Sequence, residues 1–145
     1  MSKLIRWDTP FTDKLFPSVV LAVDIKLTGN SYSCLKAIVA RDIYEYPKYL
    51  IDFGEVIAFT CMEEGFCPER DFGSATIGDR NLSAYQFVDS PWVKSYEVGF
   101  IGSRFEKFFH YLIFGGDNNV EVVTPNIPKI DIIEQKTVLK IEYEV

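Results

Sequence analysis

Apolar side chains recur at every second position in this chain, and that period restricts the fold more than any other feature. From Val19 the odd positions Val19, Leu21, Val23, Ile25 and Leu27 are all apolar, while Asp24, Lys26 and Thr28 fall on the other side. At the C-terminus Thr137, Leu139, Ile141, Tyr143 and Val145 share one face and Lys140, Glu142 and Glu144 the other, with Val138 the exception. Successive side chains of a strand point to opposite faces, so each run predicts a strand with one buried and one wet side. Gly29-Asn30 ends the first run with residues that tolerate positive φ, which suits a hairpin. Its return strand would be Tyr32 to Ala40, although Leu35, Ile38 and Val39 also fit a helical turn.

Further strands follow. Tyr49 to Phe53 is short, and Glu55 to Met62 is nearly continuous in apolar residues, which predicts a central strand buried on both faces. Gly54 between them reads as a bulge or bend. Ser83 to Val88 is another strand, and Ser90-Pro91 reads as an N-cap followed by proline at the first helical position, opening a short helix through Tyr96. Phe108 to Phe114 and Val120 to Thr124 flank Gly-Gly-Asp-Asn-Asn and predict a last hairpin. Strands succeed one another without long intervening helices, which argues against a βαβ parallel sheet. The expected fold is α+β and β-dominated: a single globular domain over residues 1–145, with a mainly antiparallel sheet of about seven or eight short strands and one or two short helices.

Composition narrows the function classes. A chain of 145 residues can enclose one hydrophobic core. Its 15 basic and 21 acidic groups leave a net charge of −6, which argues against a sequence-independent grip on nucleic acid. The longest apolar stretch near the N-terminus, Val19 to Val23, is far shorter than the ~20 residues of a membrane helix, so no membrane is expected. The first 15 residues hold Asp8, Asp13 and a proline but no apolar core of a secretory leader. The three cysteines are therefore expected to be reduced thiols, and the expected compartment is the cytoplasm.

The residues that could carry chemistry fit their structural alternatives better. Cys34, Cys61, Cys67 and His110 form a legitimate zinc ligand set by type. Cys61 and Cys67, however, are separated by five residues and Cys34 stands alone, so no knuckle is present and neither metal nor other cofactor is expected. His110 is the only histidine, and alternation places it with Phe108, Leu112 and Phe114, the setting of a packed, hydrogen-bonded side chain rather than a general base. No G-x-S-x-G or H-E-x-x-H motif occurs.

Residues 51–100 carry three basic and nine acidic groups, with Glu63, Glu64, Glu69 and Asp71 gathered within nine positions. Trp92 and Tyr96 share one face of the short helix. These features favour a non-enzymatic small acidic protein that binds a basic protein partner, the acidic segment steering it and the aromatic pair anchoring it. Bacterial immunity proteins that neutralise basic toxins have this general composition, a likeness with no motif behind it. The alternative is a small-molecule-binding β domain or minor enzyme. Its aromatic-lined cavity would draw on the 12 Phe, 8 Tyr and 2 Trp, with Asp52, Glu55 or His110 reaching in.

Overall fold

The structure is a computed structural model that describes residues 3–13, 19–27, 33–63, 76–77, 82–97, 107–115 and 118–135, without the side chains of 63, 76–77 and 96–97. In chain order the elements are β1 (Lys3–Arg6), β2 (Val19–Lys26), β3 (Ser33–Ala40), β4 (Lys48–Val56), β5 (Ala58–Glu63), β6 (Thr76–Ile77) and β7 (Ala84–Val88). They continue with α1 (Pro91–Glu97), β8 (Phe109–Phe114), β9 (Asn118–Thr124) and β10 (Lys129–Ile133). The β-dominated, mainly antiparallel character matches the alternation. The described strands include β1, β6 and β10, short segments that carry little periodic signal of their own.

Two sheets form. One has the order β5-β9-β8-β7-β1-β6 and the other β10-β4-β3-β2. Among the described residues every pairing is antiparallel except β1 with the two-residue β6. The core lies between the sheets. Leu35, Ala37 and Val39 of β3 and Ile51 and Phe53 of β4 meet Tyr111 and Ile113 of β8 and Val120 and Val122 of β9. All alternate with outward residues, as a sandwich requires. Trp7, just past β1, lies in this core. Its ring stands 4.5 Å from Tyr111 and 6.1 Å from Phe53. A short turn holds it there, in which Thr12 Oγ1 donates to the Trp7 carbonyl at 2.6 Å.

The chain crosses between sheets after β4, at a place the sequence misleads about. Of the two readings of Gly54 the bulge holds, and the bend between two strands does not. The glycine sits inside β4 at φ 64°, and the register with β3 shifts between Leu35 and Lys36 opposite it, which is a bulge. Asn126 Nδ2 donates to the carbonyls of Phe53 at 3.2 Å and Glu55 at 3.1 Å, fixing the bulge to the end of β9. The true break is Ile57, whose N–H donates to Val123 O at 2.8 Å as β5 joins the other sheet. Among the described residues β5 is consequently an edge strand and not the central, doubly buried one expected, and Phe59 and Cys61 are exposed. Residues 33–40 form a strand, so the helical alternative for that segment does not hold. The C-terminal run 137–145 lies outside the described residues.

Candidate functional site

The core-facing side of the six-stranded sheet is mainly apolar and aromatic, and its outer side carries buried polar groups. On that outer face His110 and Leu112 of β8 register with Val123 and Glu121 of β9. His110 and Glu121 are therefore diagonal neighbours, close enough for two long side chains to meet. His110 Nε2 lies 2.9 Å from Glu121 Oε1, and Nδ1 lies 2.7 Å from Ser90 Oγ. Thr60 Oγ1 of the adjoining edge strand donates to Glu121 Oε2 at 3.3 Å.

Ser90 reaches this line because of how β7 gives way to α1. Asp89 adopts φ 56°, a left-handed turn that Asp tolerates better than most residues. Ser90 then caps the helix as its sequence predicts. Its Oγ accepts the Val93 N–H at 3.3 Å and its carbonyl accepts the Lys94 N–H at 3.1 Å. Rings close over the line. Phe87 stacks on the imidazole at 4.0 Å with planes 18° apart, and Trp92 leans on it at 5.4 Å. Ser90, His110 and Glu121 retain 4%, 4% and 3% of their exposure.

The donor and acceptor inventory decides what this arrangement does. A carboxylate accepts, so an N–H at Nε2 suits Glu121, while Nδ1 faces the Ser90 hydroxyl, a group able to donate or to accept. The lone pairs of Ser90 Oγ take the Val93 N–H. Serine, histidine and a carboxylate in a row are the donor set of nucleophilic catalysis. Here, however, the hydroxyl is buried and already serves as a helix cap. The network's present work is to fasten α1, and Trp92 with it, to the sheet.

The other sequence-derived candidates fall partly outside the described residues. Trp92 is half-buried and belongs to the rim of the histidine site. Glu63 ends β5, its side chain and that of Tyr96 lie outside the described portion, and Glu64, Glu69, Asp71 and Cys67 fall on undescribed residues. Asp52 and Glu55 register with Lys36 and Cys34 on the outer face of the four-stranded sheet, across the sandwich from His110, so the three do not converge. Asp52 instead accepts the Gly54 N–H at 2.9 Å. Among the described residues no cluster of three His, Cys, Asp or Glu side chains could hold a metal. No described helix is long and apolar enough to cross a membrane.

A second surface feature was missed by sequence reasoning. The loop joining β3 to β4 exposes Tyr44 at 86%, with Ile43 and Tyr46 beside it. It is nevertheless a structured loop. Asp42 Oδ1 accepts the N–H groups of Tyr44 and Glu45, both at 2.7 Å, and Lys48 Nζ donates to Ile43 O at 2.8 Å while lying 4.6 Å from the Tyr46 ring. The signal was present as Asp-Ile-Tyr-Glu-Tyr-Pro, an Asx-turn former inside an apolar pair.

Fold and site together define a β-sandwich with a buried Ser–His–Glu network on one outer face and an aromatic loop on the opposite sheet. Comparison with protein-family models, curated proteins and solved structures finds no match.

Proposed function

We propose that this is a non-enzymatic binding domain for a basic protein partner, with immunity-type neutralisation of a basic toxin as one form of it. The observation that carries the reading is the β3–β4 loop. Holding Ile43, Tyr44 and Tyr46 in water forgoes their hydrophobic stabilisation, and local bonds fix them in advance of any contact, which lowers the entropic cost of binding. Tyrosine in a rigid loop is a favourable anchor. The net charge of −6, concentrated around Glu63, Glu64, Glu69 and Asp71, supports steering of a basic partner. Trp92 and Tyr96 remain further anchor candidates on α1.

Photo-crosslinking tests it. With a benzophenone amino acid at position 44, lysate of the source cells should yield a discrete adduct with a basic protein. The adduct should weaken at high salt and in the Glu63→Gln, Glu64→Gln, Asp71→Asn variant. Absence of any discrete adduct, or one indifferent to salt and to the triple change, would sink the reading.

One observation favours a second reading, chemistry at His110: the Ser90–His110–Glu121 line itself. A fluorophosphonate probe separates the two. Covalent labelling of Ser90 in the folded protein supports chemistry, and an unlabelled Ser90 supports the cap.

A further inference from the structure

We infer that the outer edge of β2 is a self-association surface, paired in a two-fold dimer by β2 of a second copy of this chain. Among the described residues no strand pairs with that edge. Beneath it the core is incompletely closed. Val23 and Ile25 of β2 pack against the core but stay half-buried, whereas Leu35 and Ala37, their register partners on β3, are fully buried. No proline or register shift interrupts the pairing of Ala22–Lys26 with β3, so the backbone of this stretch is regular enough to template another strand.

Charge identifies the occupant. Across the outer face of the four-stranded sheet the register aligns Lys129 of β10, Asp52 of β4, Lys36 of β3 and Asp24 of β2, a row of alternating sign. Lys36 Nζ lies 4.0 Å from Asp52 Oδ2. The row stops at the β2 edge on a negative charge, so the strand that continues it should place a cation opposite Asp24. The chain carries that cation itself. When two β2 strands run antiparallel with Ile25 opposite its own copy, Asp24 of each faces Lys26 of the other, and Val23 faces Leu27. Leu27 is 79% exposed in the single chain and would gain cover. An isologous contact of this kind closes on itself as a dimer.

Sedimentation equilibrium on the full chain tests the pairing. The wild type should dimerise. Lys26→Asp alone and Asp24→Lys alone each create two like-charged pairs and should weaken the dimer about tenfold or more. An equimolar mixture of the two variants restores both opposite-charge pairs and should form a heterodimer as tight as the wild type. Circular dichroism checks that each variant keeps its sheet. Leu27→Glu, at an exposed position beyond the strand end, should weaken the dimer equally and serves if a charge variant misfolds. A wild type that stays monomeric at millimolar concentration overturns the inference. So does a dimer indifferent to all three substitutions, which would place the contact on another face.

Discussion

At the residue scale, the informative side chains are buried polar ones whose partners lie far away in sequence. His110 sits among Phe108, Leu112 and Phe114 in sequence, yet its energetics are set by Glu121, eleven residues on, and by Ser90, twenty residues back. Replacing His110 with Ala takes one hydrogen-bond partner from the buried Glu121 carboxylate and should cost about 1–3 kcal/mol. Ser90→Ala removes both the helix cap and the hydroxyl bonded to Nδ1. About 1–3 kcal/mol should be lost, with α1 the first element to exchange its amide protons. Urea unfolding and hydrogen exchange read the two effects. A cost under half a kilocalorie for His110→Ala would show that the network stabilises nothing. Ser90 was legible as a cap from Ser-Pro, and the burial of His110 from its alternation. Glu121 was not recognised. Its sign is a carboxylate interrupting Val120, Val122 and Val123, which marks a buried charge awaiting a partner but not which partner.

At the element scale, turns were more legible than strand neighbours. The β8–β9 hairpin was read from Gly115-Gly116 and the following Asp-Asn-Asn, and the reason for glycine is steric. A Cβ on Gly115 would collide with the carbonyl oxygen of Asn118, which accepts the Gly115 N–H at 3.0 Å. Where alanine fits, Gly→Ala stabilises by roughly 0.4–1 kcal/mol; Gly115→Ala should instead destabilise, and by more than that amount. The loss should be visible as a lower urea midpoint with unchanged slope. Where strands sit in their sheet was the part misread. Val56, Ile57, Ala58 and Phe59 look like one buried run, but Ile57 is the crossing point between sheets and β5 lies at an edge. Hydrophobic content alone does not separate a central strand from an edge strand that supplies only one buried face.

At the scale of the whole molecule, the two sheets enclose an aromatic centre that should respond to alkaline pH. Burial pushes the Tyr111 phenol up to about 12, and it raises Tyr49 as well. In the unfolded chain both titrate near 10. Below that pH the phenols are neutral in both states and contribute no pH dependence. Between about 10 and about 12 the unfolded chain gives up protons that the folded chain keeps, so stability should fall as pH rises through this window. Tyr111→Phe should flatten the fall in urea midpoint, and an unchanged pH profile in that variant would contradict the assignment.

The sequence by itself determined the fold class, several strands, the cap at Ser90 and the hairpin at Gly115. These features depend on period, local sterics and neighbouring hydrogen bonds, all of which span a few residues. Tertiary structure alone decided that Trp7 enters the core, that Asp52 and His110 lie on opposite sides of the sandwich, and that Ser90, His110 and Glu121 meet. The β2 edge shows the same division. Val23 to Leu27 announced a strand through its alternation, but only the sheet order and the cross-strand register brought Lys129, Asp52, Lys36 and Asp24 into one row. Such contacts join residues tens of positions apart. Their register comes from burying both sheets against a common core, a constraint that no local stretch of chain encodes.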